Sequence, residues 1–189
     1  ATARARGRGE TSATRAIANP PFPGVETIES ESHRDQDMRA ANEGFKDIMK
    51  KRPGSVFAAN GLGMVLGEQG RLPAAQSVFK LVQETSAEVP GVNVNLGHTM
   101  VALGQASQAV DVYRRSLERY FAKTYRRSEI LGWIARAHAE CHEYTECLRV
   151  LRDAIHAEPT HLPHWYNLAI TQANFAFHVL QSTTRKVED

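Results

Sequence analysis

The sequence predicts an all-α fold: a right-handed superhelical solenoid of antiparallel helix pairs. Three observations carry that expectation. Leu62-Gly63, Leu96-Gly97, Ile134-Ala135 and Leu168-Ala169 read as one segment written four times, with Gly63 to Gly97 and Ala135 to Ala169 each 34 residues apart and the middle step lengthened to 38. A fixed period of this length marks stacked helix–turn–helix units. Helix breakers recur in phase: Gly70 and Gly104 fall between the two helices of a unit, and Pro53, Pro90 and Pro159 fall between units. A glycine there can take the left-handed conformation that ends a helix, and proline cannot continue one. Side-chain size also repeats. Gly63, Gly97, Ala135 and Ala169 are small where helices cross closely, with Ala75, Ala109 and Cys147 as their small counterparts on the second helices.

Residues 1–34 show neither helical nor strand period. Arg4, Arg6, Arg8 and Arg15 cluster at the start, a Pro-rich break spans Asn19 to Gly24, and Glu26, Glu29, Glu31, Asp35 and Asp37 follow. Low apolar content with segregated charge predicts a disordered or insertion segment. An Arg-rich start also fits a transit peptide, but the missing initiator Met and the Arg6-Gly7-Arg8-Gly9 run argue against one. The helical pattern begins near residue 35. Helices are expected near 36–51, 55–69, 73–86, 91–103, 106–121, 127–141, 144–157 and 162–181, with 183–189 as a tail. In the third repeat His142 stands where a turn glycine is expected, so that turn should be strained.

The larger gaps between helices call for large side chains: Leu62, Leu66 and Phe79; Leu96, Met100 and Tyr113; Ile134, His138 and Leu151; Trp165 and Leu168. Ahead of the first full repeat, Ala41, Phe45, Ile48 and Pro53 reproduce the second half of another. Residues 35–182 therefore read as half a repeat, three full repeats and half a repeat. No such unit buries its apolar face alone, so stability comes from stacking. The absent initiator Met and the unpartnered apolar stripe of the last helix predict an internal piece of a longer chain.

Composition narrows the function. A formal net charge of +2 is too small to mark the whole chain as a nucleic-acid or membrane binder. Two cysteines, Cys141 and Cys147, cannot make a disulfide framework and favour a reducing compartment. No stretch approaches an uninterrupted apolar span, and no secretory signal pattern is present.

The 34-residue period is that of the tetratricopeptide repeat (TPR). Within that class, the run Phe57 to Gly63 resembles the scaffold subunit of the RNA polymerase II-associated factor (PAF) transcription elongation complex. Asn95-Leu96-Gly97-His98, Leu117-Glu118-Arg119-Tyr120-Phe121 before the four-residue insertion, Glu146-Cys147 and Asn167-Leu168-Ala169 are similar in register. The resemblance covers about residues 53–181 and includes the irregular step. It implies a nuclear, non-enzymatic scaffold whose partners are the other subunits of the complex and RNA polymerase II. The complex it implies supports elongation and co-transcriptional histone modification. The alternatives are a TPR adaptor or assembly and co-chaperone factor outside the nucleus, or the TPR arm of a larger enzyme.

Motifs that suggest chemistry have plainer readings. Gly61 to Gly67 looks like a nucleotide loop, but it lies inside a helix, where a Rossmann loop needs a preceding strand and a tight turn. Gly61 and Gly67 weaken that helix by about 1 kcal/mol each relative to Ala, and could let a partner backbone approach. His138, Cys141, His142 and Cys147 could be drawn as a zinc set, yet they do not pair from two arms, and Cys147 holds a buried small-residue position. No nucleophile elbow, His-Glu-x-x-His or phosphate loop occurs. No catalytic residue, cofactor, metal, membrane or small-molecule substrate is therefore expected.

Two surfaces remain. Arg114, Arg115, Arg119, Lys123, Arg126 and Arg127, opposed only by Glu118 and interleaved with Tyr113, Tyr120, Phe121 and Tyr125, form a candidate site for acidic tails or nucleic acid. The first helices of such repeats line the concave side, the usual binding surface. Projecting the period places Asn60, Met64, Val94, His98, Arg136, Tyr166, Ile170 and Asn174 there. A chaperone-type two-carboxylate clamp would need Lys, Asn and Arg; at the matching places stand Asn60, Met64, Asn95, Glu129 and Trp133, of which only Asn95 fits. The groove instead suits an extended or helical segment with apolar anchors.

Overall fold

The computed structural model describes residues 28–85 and 89–188, with side chains over 35–85 and 89–181. All regular structure in it is helical: α1 (Ile28–Lys51), α2 (Val56–Glu68), α3 (Leu72–Thr85), α4 (Pro90–Ala102), α5 (Ala106–Ser116, continued by a π-helical turn Leu117–Phe121), α6 (Arg127–Glu140), α7 (Tyr144–Ala157) and α8 (Leu162–Glu188). Consecutive helices pack on one another, and first helices also touch across repeats, α2 on α4 and α4 on α6. The fold is a TPR solenoid.

The expected segment 1–34 lies outside the described residues up to residue 27. Residues 28–34 already belong to α1, so that helix begins eight residues before its expected start at 36. At the other end, α8 runs to Glu188, where residues 183–189 had read as a tail.

Local sequence sets the helix ends. Ser55 caps α2, its hydroxyl accepting from the Ala58 amide, and Pro90 opens α4 at a position where a missing N–H costs nothing. Gly70 and Gly104 adopt φ of +72° and +74° after α2 and α4. His142 holds the same place after α6 with φ 59°, the one non-glycine residue at positive φ among the described residues.

The crossings are closer than size alone suggests. A Cβ on Gly63 would stand 2.6 Å from the Phe79 ring, and one on Gly97 would stand 2.4 Å from Tyr113. The first two full repeats thus seat the aromatic ring of the second helix on a glycine of the first, and the third has Ala135 and Leu151 at those places. Gly61 does the same for Phe45 of α1, at 2.4 Å, so it serves the helix crossing rather than a partner. Gly132 receives the His164 ring from α8. Ala75 and Ala109 are fully buried and Cys147 nearly so, amid Leu66, Phe79, Leu96, Met100, Tyr113, Ile134 and Leu151. Trp165 departs from its expected core place: it is half exposed, and its indole N–H donates to the Pro159 carbonyl at 2.8 Å.

The four-residue insertion is taken up at the end of α5. The i→i+5 turn Leu117–Phe121 widens the helix, buries Phe121, and leaves Thr124–Arg127 to turn the chain into α6.

Candidate partner-binding face

The first helices α2, α4 and α6 present one continuous polar and aromatic surface. Asn95 Nδ2 donates to Asn60 Oδ1 at 3.1 Å, joining α4 to α2, and the Asn60 amide lies 3.9 Å from Met64 Sδ. His98 of α4 meets the Tyr113 hydroxyl through Nδ1 at 2.7 Å, and its ring stands edge-on to Trp133 of α6 with centroids 4.4 Å apart. The Arg136 guanidinium lies 5.8 Å over the Trp133 ring, within cation–π range. Arg126 reaches Glu129 with two N–H groups, at 2.8 and 3.3 Å.

Electrostatics follow from this packing. Burial, then the neighbouring Arg136 charge, lowers His98 to about 4, so its ring is neutral near pH 7. Burial pushes the Tyr113 hydroxyl above its usual range, which keeps its proton available for hydrogen bonding. The Arg126 hydrogen bond holds the Glu129 carboxyl below the usual carboxylate range.

Beside this stack, α2 and α4 enclose an open cleft of about 240 Å³ lined by Gly63, Met64, Glu68, Phe79, Asn95 and His98 among others. Its floor is the glycine–phenylalanine crossing, and its lip is Met64, 51% exposed. A second shallow recess, mostly apolar, is lined by Leu162, Pro163, Tyr166 and Asn167 on α8.

Of the residues projected onto the concave face, Asn60, His98, Arg136, Ile170 and Asn174 are partly exposed, and Met64 and Tyr166 are half exposed. Met64 and His98 line the cleft, Asn60 adjoins it through Asn95 and Met64, and Arg136 adjoins His98 through Trp133. Tyr166, Ile170 and Asn174 lie on α8. Val94 corrects the projection: it is 5% exposed and part of the core. It lies on the central helix pair, where neighbours on both sides close over it. The partly exposed position is the next residue, Asn95. Asn95, Glu129 and Trp133 are not among the residues projected onto the concave face, Asn95 being the one that fits a carboxylate clamp and Glu129 and Trp133 not fitting it, yet they occupy the middle of this face. The missed signal was Asn95 itself, 35 residues from Asn60 rather than 34.

Of the basic residues, Arg114, Arg115, Arg119, Lys123 and Arg127 are exposed and Arg126 is partly so, and several are engaged by neighbours. Arg126 is paired with Glu129. Arg114 lies 3.3 Å from His138 Nε2, and His138 Nδ1 lies 2.5 Å from Glu143. A guanidinium can only donate, so Nε2 accepts and the proton on Nδ1 goes to Glu143. That relay ties α5 to the α6–α7 turn. Arg115 and Arg119 line a pocket of about 180 Å³ with Gln83, Asn93 and Tyr120. Lys123 and Arg127 are exposed, and Arg127 donates to the Ala122 carbonyl.

The weighed zinc set also comes apart. His138 is engaged as described, Cys147 contacts the Thr171 hydroxyl at 3.6 Å, and Cys141 and Cys147 are free thiols. The structure instead gathers Glu158, His161 and His164, which the sequence reading did not single out. The regular three-residue spacing of those side chains was the available signal.

No protein-family model matches the chain. It is 31% identical over 157 residues to "Protein CTR9 homolog" of Arabidopsis thaliana, a match covering 80% of this chain and 14% of that protein. The chain is similar to CTR9. "RNA polymerase-associated protein CTR9" of Caenorhabditis elegans is 30% identical over 114 residues, 54% of this chain and 9% of that one. The chain thus spans about one seventh or less of the CTR9 proteins it matches, and the scaffold-subunit resemblance read from the residues is upheld. Solved structures show the fold. MamA 41-end from Desulfovibrio magneticus RS-1 has a TM-score of 0.67 at 13% identity, covering 93% of this chain and 94% of that one. YrrB, described as a TPR protein with an unusual peptide-binding site, has a TM-score of 0.60 at 18% identity, covering 87% and 84%.

Proposed function

We propose that this chain is a nuclear protein-interaction scaffold segment of the PAF transcription elongation complex. Its similarity to CTR9, one relative of which is described as RNA polymerase-associated, carries the reading. Its role is positional and non-enzymatic. Stacked helices hold a long rigid face to which other subunits of the complex dock, and through them RNA polymerase II. Holding partners together raises their effective concentration, which is how a scaffold supports elongation and co-transcriptional histone modification.

The docking face is the concave surface bearing Asn60, Met64, His98 and Arg136, continued by Tyr166, Ile170 and Asn174. Its pairing of an apolar cleft with fixed amides and a neutral imidazole suits an extended or helical segment with an apolar anchor and hydrogen-bonding flanks. The exposed cations Arg114, Arg115, Arg119, Lys123 and Arg127 offer a secondary site for an acidic tail or nucleic acid.

Affinity purification of the tagged full-length parent protein from nuclear extract, followed by mass spectrometry, tests this reading. RNA polymerase II with a fixed set of elongation partners is the expected result. Chaperones or organelle proteins without polymerase contradict it.

A further inference from the structure

The turn between α7 and α8 brings three metal-competent side chains together. Backbone hydrogen bonds from His161 N to the Glu158 carbonyl (3.2 Å) and from His164 N to the His161 carbonyl (3.1 Å) wind the chain so that residues 158, 161 and 164 share one side. The Trp165 indole N–H closes the same turn on the Pro159 carbonyl. One ligand atom from each of Glu158, His161 and His164 lies within 4.8 Å of the other two, and Glu158 Oε2 stands 4.0 Å from His161 Nδ1.

His164 is the independent observation. Its side chain is 3% exposed, and both ring nitrogens are buried without a hydrogen-bond partner. Buried polar atoms nearly always find a partner. Nor is the ring there by default: Gly132 of α6 makes the room, since a Cβ at that position would stand 2.8 Å from His164 Cε1. Glu158 is oriented in turn by the Ser128 hydroxyl of α6, which donates to Oε2. Ligating carboxylates are commonly held by an outer hydrogen bond of this kind, and a metal would give one of the His164 nitrogens the partner it lacks.

We propose that Glu158, His161 and His164 form a zinc site that ties the α7–α8 turn to α6. Two imidazole nitrogens and one carboxylate oxygen suit a borderline metal such as Zn²⁺, and water completes a tetrahedral shell. The site clamps the third repeat to the helix that follows it, and it is independent of the concave-face reading.

The test is titration of the chelator-stripped 189-residue chain with Zn²⁺ against a chromogenic competitor near pH 7. Binding of one equivalent with a dissociation constant of about 1 μM or tighter is expected. His161→Ala and Glu158→Gln should each weaken it at least tenfold, with circular-dichroism melts of the metal-free proteins unchanged. Ser128→Ala, which removes only the outer hydrogen bond, should weaken it by about tenfold. Cys141→Ser with His142→Ala should leave it intact. No binding in the micromolar range overturns the site. So does affinity retained in either ligand variant, or lost in the Cys141/His142 control.

Discussion

At the residue scale, the array is organised by rings seated on glycines. Gly63 under Phe79 and Gly97 under Tyr113 repeat one contact at one register, and neither ring can retreat, since both are almost wholly buried. Gly97→Ala should therefore destabilise the chain by about 1–3 kcal/mol, the usual cost of overpacking. Gly67→Ala, in the same helix as Gly63 but with nothing within 4 Å of its Cβ position, should stabilise it by about 0.5–1 kcal/mol. Urea melts of the two variants decide the matter; a common sign would contradict the register. The small residues at these positions were legible in the sequence, because period and size reveal them. The rings above them were not, because contact partners depend on how the helices rotate about their axes. The same blindness put Val94 on the surface, when rotation carries it into the core.

His98 gives the second test at this scale. Its ring titrates at about 4 in the folded chain against 6.5 for the unperturbed group, because burial and Arg136 oppose its charge. Between those values the unfolded chain binds a proton at His98 that the folded chain does not. Stability is thus full above about pH 6.5, falls as pH drops through that window, and levels near pH 4 where the folded ring also protonates. The His98 share of that loss is about 2 kcal/mol after allowing for partial exposure. Melting temperatures measured across the window should fall, and His98→Gln should flatten the descent. An unchanged slope would show that the ring does not stay neutral on folding.

At the scale of elements, helix ends were read from breakers and boundaries from the period. Gly70 and Gly104 take the left-handed conformation their positions require. His142 takes it too, without glycine's freedom, and this is the strain expected of that turn. His142→Gly should raise stability by about 0.5–1 kcal/mol, the loss of its 3.2 Å contact with the Tyr144 hydroxyl being a small, exposed term. A thermal melt that moves down instead would mean the His142 side chain matters more than its backbone. The 38-residue step was visible as a count, but its form as a π turn at Leu117–Phe121 was not. Periodicity reports how many residues are extra, while the backbone's choice of where to absorb them depends on Phe121 finding the core. The separate engagements within the basic run have the same origin. Arg114, Arg126 and Arg127 are close in sequence, yet one answers His138, one Glu129 and one a backbone carbonyl.

At the scale of the whole molecule, the first helices are linked across repeats by side chains rather than by backbone. Asn60 to Asn95, and His98 to Trp133, join α2, α4 and α6 into one surface. Asn60, Asn95 and His98 are already held by hydrogen bonds, and side chains fixed in advance lose little entropy on binding. The surface also shows which substitutions can probe it. Val94 and Ile170 pack in or against the core, so acidic residues there would unfold the array as well as block the groove. Met64 and Tyr166 are half exposed and free of that confusion. The most direct measurement is therefore a comparison, in nuclear extract, of the partners captured by the tagged protein and by its Met64→Asp/Tyr166→Asp form, with circular dichroism run on the 189-residue chain carrying the same changes. Unchanged helicity and melting, with elongation partners reduced at least tenfold, is the predicted result. The same partners captured in full by the variant would show that the concave face is not where the complex is held.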